Sequence, residues 1–389
     1  MTVKIAMVAG EVSGDLLAAH LIRSLKSRIP EAVFYGIGGP KMREQGFDAW
    51  FPMEKLAVIG FVEVLKHFRE IFGIRRALKR RLLAAPPDVF IGVDAPDFNL
   101  ALEKALKRRA IRTIHYVSPS VWAWRRGRVK KIGAAVSHLL TLFPFEPAIY
   151  EKENIPVSFV GHPLADMIPL KDGRDAAREL FDISPHRPVL ALLPGSRRSE
   201  LGFMADGFIE TAREVAKQLP DAVFLVPLAT RETRELFETA VYRANAQDLP
   251  LRLLFGHSRE AIAASDVVLA TSGTVTLEAA LLKRPMVVAY KMAPLTFRLL
   301  KHLYTLPWIA LPNILAGKFV VPEFIQGDAT PQNMAQALLN YFSDKTSCDR
   351  LRELFTEMHL QLRQNNAEKA AAAVVRCLYG DAHRAALDA

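Results

Sequence analysis

The chain has 389 residues, half of them hydrophobic and 24% charged, enough apolar material for two cores rather than one. Its two cysteines, Cys348 and Cys377, exclude a disulfide framework and show no metal-ligand spacing, which predicts a reducing, cytoplasmic setting. The net charge of +10 is concentrated: residues 66–131 hold 17 Lys and Arg against 5 Asp and Glu, so that face is either simply solvated or meets nucleic acid, anionic lipid or a phosphorylated substrate.

The opening run VKIAMVA at 3–9 reads as a buried strand, too short and too soon interrupted for a signal peptide. Gly10 ends it, and Leu17, Leu21 and Leu25 follow at helical spacing. Strand runs at 33–37, 89–93, 113–117 and 139–142 repeat the pattern, each leading into a turn or a Pro-containing loop. It breaks around Gly161-His162-Pro163 and restarts with VLALL at 189–193, then runs at 223–227, 251–254, 267–270 and 285–290. Helical sequence from about Pro331 finishes the chain. Short apolar strands alternating with helices predict parallel sheets covered on both faces. Two doubly wound α/β units therefore meet near residue 165, as domains 1–165 and 166–389, and a cleft between them is the expected place for chemistry. No window approaches the ~20 apolar residues of a membrane-spanning helix, so a protein not integral to a bilayer is expected.

Candidate chemistry lies just past the strands. Asp94 ends the strand at 89–93, where a carboxylate serves either as a general base facing a ligand or as a loop cap. Asp97, before a helical pattern, reads as an N-cap. Gly195, Ser196 and Arg197 lie between a strand and a helix and suit a diphosphate through backbone N–H groups, hydroxyl and guanidinium. Ser272, Gly273 and Thr274 open a second helix, as an anion site or ordinary caps. Glu278, one turn on, faces a ribose or merely solvent. The turn holding Ser13 and Gly14 follows the first strand, and the two are expected at the acceptor or the cleft; it is not GxGxxG, which disfavours a nicotinamide cofactor. His115, His162 and His257 are scattered singles, and no metal or other cofactor is expected.

Phe61, Val64, Leu65, Phe68, Ile71 and Phe72 form an apolar stripe at helical spacing, followed by Arg75, Arg76, Lys79, Arg80 and Arg81. Such a helix lies on an anionic membrane surface or faces a core. Trp122 and Trp124 precede a second basic run, which fits an interfacial patch.

Several strings together resemble the lipid-A-disaccharide synthase family: AGEVSGD at 9–15, GVDAPDFN at 92–99, HYVSPSVWAW at 115–124, LPGSR at 193–197 and LPN at 311–313. The resemblance spans about residues 3–375. It implies a GT-B glycosyltransferase of two Rossmann-like domains, the first binding the acceptor and facing the membrane, the second binding the UDP donor. The implied reaction joins UDP-2,3-diacylglucosamine to 2,3-diacylglucosamine 1-phosphate with inversion, releasing UDP. By position Asp94 matches the general base, while Arg197, Glu278 and Asn313 match residues tied to donor binding or activity. The resemblance also implies a peripheral place on the inner membrane of a Gram-negative bacterium and a homodimer. Two rival readings are a sugar-nucleotide epimerase of similar architecture, which needs no lipid acceptor, and a nucleic-acid binder, for which no RRM, KH or zinc module is present.

Overall fold

The computed structural model describes residues 2–56, 61–124, 126–301 and 303–380, without the side chains of 61–68 and Arg126. Its first sheet contains β1 (Lys4–Ala9), β2 (Val33–Gly38), β3 (Asp48–Pro52), β4 (Val89–Val93), β5 (Arg112–Tyr116), β6 (His138–Thr141) and β7 (Val157–Phe159). The second contains β8 (Val189–Leu193), β9 (Val223–Leu228), β10 (Leu251–Phe255), β11 (Val267–Thr271), β12 (Met286–Tyr290) and β13 (Glu323–Ile325). Among the described residues every strand pairing is parallel. The orders are β3-β2-β1-β4-β5-β6-β7 and β10-β9-β8-β11-β12-β13. Each sheet thus starts at a central strand, winds outward to one edge, and returns to wind outward on the other side. That is the doubly wound Rossmann-like arrangement.

Burial explains which strands the sequence displays. β4, β8 and β11 are buried at every residue, so both faces must be apolar and the run is continuous. β3, β7 and β13 lie at sheet edges with half-buried residues and mixed polarity, and none of the three stands out as an apolar run.

The chain divides into two compact units, one of residues 1–166 with the segment from Leu362 on, the other Met167–Gln361. This differs from the expected second domain of 166–389: the last helix, Asn366–Tyr379, returns to the first unit. Ala370, Ala371, Val374, Val375 and Leu378 join the core made by Leu17, Leu21 and Leu25. Small alanines let this helix approach the helix Val12–Arg28 closely. The Asp166 carboxylate accepts the backbone N–H of Asn365 (3.0 Å) and Asn366 (2.6 Å), capping the returning helix. Tyr116 donates its hydroxyl to the Asn366 amide oxygen, locking the helix to the end of β5. Contiguity in sequence therefore misassigns this element; its apolar face decides where it packs.

Candidate active site

In each sheet two neighbouring central strands lead to opposite edges, and the loops leaving their carboxyl ends part to form a crevice. In the first unit these are β1 and β4, paired from Ile5↔Val89 to Ala9↔Val93. In the second they are β8 and β11. The strand-tip candidates predicted from sequence fall at these two points.

Asp94 leaves β4 with φ +52°, and Ala95 follows at +43°. Two consecutive non-glycine residues in the left-handed region are strained by about 1–2 kcal/mol each. The surroundings hold them there. The Asp94 N–H donates to the Tyr116 carbonyl at 2.8 Å, and the Asn99 amide donates to the Asp94 carbonyl at 2.8 Å. Asn99 is wholly buried, as are Glu103 and His115 nearby, which pair through Oε1 and Nδ1 at 2.8 Å. Burial raises the Glu103 pKa, and His115 works in the opposite direction. Gly92 makes room for this cluster, since a Cβ there would stand 2.2 Å from Glu103 Oε1. His115 is thus a structural partner of Glu103.

Gly10, at the end of β1, passes close by: a Cβ on it would lie 3.2 Å from that of Ala95. Ser13 is exposed in the first turn of the following helix. Gly14 is buried, with Ala9 and Val93 as its nearest neighbours, so it serves packing and has no surface to offer an acceptor. Asp97 also differs from expectation. Ala95 holds the N-cap position, Pro96 starts the helix, and the exposed Asp97 carboxylate pairs with Arg128.

The second unit holds an open cavity of about 390 Å³ at its crevice. Gly195, Ser196, Arg197, Ser272, Gly273, Thr274 and Glu278 all line it, so seven of the eight predicted donor-binding residues come together. Gly273, at φ +154°, precedes the helix Thr274–Leu281, whose start carries no side-chain cap. Its first N–H groups are therefore suited to an anion. The Ser272 hydroxyl donates to the Ile309 carbonyl at 2.9 Å, fixing the turn. Glu278 is largely buried; desolvation raises its pKa, while Arg259, 3.5 Å away, opposes the shift.

Two features depart from the sequence reading. Glu200, missed there, also lines the cavity, and its Oε2 accepts the N–H groups of Ser196 (3.1 Å) and Arg197 (3.3 Å). The donors expected for a phosphate are thus already held by a carboxylate. A glutamate three residues past the turn is a capping signal that could have revealed it. Gly195, at φ +122°, has no alternative residue here, because a Cβ would meet that of Glu200 at 2.6 Å.

Asn313 is the exception among the eight. It is wholly buried and outside the cavity lining. Its amide nitrogen donates to Val321 carbonyl (2.9 Å) and Glu323 Oε1 (2.7 Å), and its oxygen accepts from Val320 (2.7 Å) and Val321 (2.9 Å). With the amide fully engaged, Asn313 fastens the segment rather than touching a ligand. Glu323 in turn accepts the N–H groups of Ile309 (2.9 Å) and Ala310 (2.8 Å), which supports the Ile309 carbonyl that Ser272 uses.

Of the expected membrane stripe, the side chains of Phe61, Val64, Leu65 and Phe68 lie outside the described residues. Ile71 packs against the core cluster that contains Leu78 and Leu82, so this part of the helix faces inward. Phe72 is exposed, with the Arg75 guanidinium 5.2 Å from its ring centre. Trp122 is no interfacial residue: it is buried, packs edge-on to Phe143 and Phe145, and donates to Glu146 at 3.1 Å. Burial pushes the Glu146 carboxyl up to about 7 and the His162 imidazole down to about 4, the latter stacked on Phe143.

The model of the lipid-A-disaccharide synthetase family matches residues 5–376. A lipid-A-disaccharide synthase from Dechloromonas aromatica is 61% identical over 377 residues, covering 97% of this chain and 99% of its own. Solved structures show the same fold at low identity. A UDP-GlcNAc 2-epimerase from Neisseria meningitidis, bound to UDP-GlcNAc, superposes with a TM-score of 0.63 at 14% identity, over 96% of this chain and 99% of its own. A glycosyltransferase involved in lipopolysaccharide biosynthesis gives 0.55 at 11%, over 96% and 99%. The fold is that of GT-B enzymes.

Proposed function

This chain belongs to the lipid-A-disaccharide synthase family, glycosyltransferases of lipid A biosynthesis, and from that premise we propose that it joins UDP-2,3-diacylglucosamine to 2,3-diacylglucosamine 1-phosphate with inversion at the anomeric carbon. The second unit is the donor domain in this reading. The observation that carries it is the cavity at the second crevice, where Arg197 and the uncapped helix start at Gly273–Thr274 converge. Those groups suit a UDP diphosphate, and Glu278 is placed to accept from a ribose hydroxyl.

Asp94 removes the proton from the acceptor's 6-hydroxyl as that oxygen attacks the anomeric carbon from the face opposite UDP. The glycosidic bond forms as the bond to the diphosphate breaks, and the charge left on UDP is met by Arg197 and the helix-start N–H groups. Both substrates carry acyl chains, so the enzyme works peripherally on the inner membrane. Among the described residues no helix is long and apolar enough to cross a bilayer. The exposed Phe72, with the basic residues after it, contributes to docking on this reading.

The epimerase alternative shares the fold, and the requirement for an acceptor separates the two reactions. Purified protein incubated with both diacylated substrates should release UDP and a disaccharide 1-phosphate in equal amounts. UDP-sugar consumption that is unchanged when the acceptor is omitted would overturn the proposal.

A further inference from the structure

We infer that the helix Pro294–Lys301 and the residues just after it form a lipid-contacting surface on the second unit, with an anionic bilayer as its partner. The inference rests on the reading that the substrates are membrane-resident, but it concerns a different unit from the predicted Phe61–Phe72 stripe.

The first observation is exposure. No residue of this helix is buried. Leu295 is 74% exposed and Leu299 71%, and their spacing of four places them on one side of the helix, while Leu303, in the turn after it, is 49% exposed. Ordinary solvated helices in the same unit look different. The helix Arg231–Arg243 covers its outer face with the ion pairs Arg231–Glu235 and Arg234–Glu238. A row of leucines left in water marks a contact surface.

Charge identifies the partner. Between Glu278 and Glu323 the sequence contains no Asp or Glu at all, yet it carries Lys283, Arg284, Lys291, Arg298, Lys301 and Lys318. Lys283 and Arg284 are buried, while Arg298 and Lys301 are exposed on the leucine-bearing helix itself. Apolar residues interleaved with cations and free of anions fit the boundary between acyl chains and anionic headgroups. A protein partner of mixed charge would find no acidic counterpart along this stretch.

Position gives the surface a purpose. The segment leaves the carboxyl end of β12, the neighbour of β11, and the carboxyl end of β11 carries Ser272–Thr274. The leucines thus depart from the edge of the sheet that holds the cavity. Gln326 clamps the approach, accepting the Met292 N–H at 2.8 Å and donating to the Met292 carbonyl at 3.0 Å. A donor whose acyl chains remain in the bilayer would then present its nucleotide to a site already held at the membrane.

The test uses the full chain and vesicles without substrate, either pure phosphatidylcholine or phosphatidylcholine with phosphatidylglycerol. Leu295→Ser with Leu299→Ser should weaken co-sedimentation with the anionic vesicles roughly tenfold, with melting temperature and UDP affinity unchanged. Arg298→Glu with Lys301→Glu should weaken binding to the anionic vesicles and leave the residual binding to neutral ones alone. Tyr242→Ser, which removes an exposed aromatic from another helix, should have no effect. Parent-like sedimentation of the leucine variant would overturn the inference, as would an equal loss in Tyr242→Ser. A changed oligomeric state on gel filtration with unchanged sedimentation would instead make the surface a contact between copies of the chain. Transfer assayed in detergent micelles reads the catalytic proposal separately, so either can fail alone.

Discussion

The two units share one strand order around their crevices yet place opposite chemistry there. In the first, the crevice carries a carboxylate on a strained left-handed turn, held by the buried Asn99 amide and the Tyr116 carbonyl. In the second it opens into a cavity lined by glycines, hydroxyls, Arg197 and an uncapped helix start. A topology that brings loops together sets only where a ligand can sit. The few residues after two strands decide whether that place presents N–H donors and a guanidinium or a carboxylate.

The comparison breaks most sharply at Asp94. Asp94→Ala should lower kcat by about 10²–10⁴, with folding intact by melting temperature, whereas near-parental turnover would remove it as the base. Arg197→Ala should act on the other side of the comparison, weakening UDP binding about 10²-fold; calorimetric titration with UDP checks this. Asn99→Ala should lower kcat by roughly tenfold or more and leave KM for the donor unchanged, because it releases the turn that aims Asp94. A matched rise in KM would assign Asn99 to binding instead.

A fourth prediction concerns the first unit's stability. Glu146, raised to about 7 from 4.5, keeps its proton in the folded state while the unfolded chain has lost it, so its contribution is full below 4.5 and fades as pH rises towards 7. His162, lowered to about 4 from 6.5, does the reverse: its contribution is full above 6.5 and fades as pH falls towards 4. The two slopes oppose each other between about pH 4.5 and 6.5. Glu146→Gln should therefore expose the His162 slope, seen as a melting temperature that drops more steeply on acidification than in the parent. The smallest expected effect is at Glu200, whose carboxylate lines the cavity proposed to take the diphosphate. Glu200→Gln removes a like charge and should tighten UDP binding by about two- to fivefold.

The sequence displays the parts of this comparison made of long apolar runs and of residues at strand tips. Central strands such as β4 and β8 need apolar residues on both faces, so their ends, and with them Asp94 and Gly195–Arg197, are readable. The edge strands β3, β7 and β13 are short and half-exposed, and alternation there carries little signal. The return of Asn366–Tyr379 to the first unit was not legible either, because an alanine-rich face does not name its partner. Hydrogen bonding between separate segments hid one more feature. Nothing local distinguishes Asn313, locked onto Val321 and Glu323, from an asparagine facing a ligand, whereas Glu200 stands at capping distance from Ser196 and Arg197 and was legible in the local pattern.

The division of labour between the two crevices is tested most directly by titrating UDP into Asp94→Ala and Arg197→Ala side by side while measuring their disaccharide formation. The account predicts that Asp94→Ala binds UDP as the parent does and makes almost no disaccharide, whereas Arg197→Ala loses UDP affinity. If Asp94→Ala loses UDP binding to the same degree, or keeps its turnover, the assignment of proton transfer to the first unit and donor binding to the second is wrong.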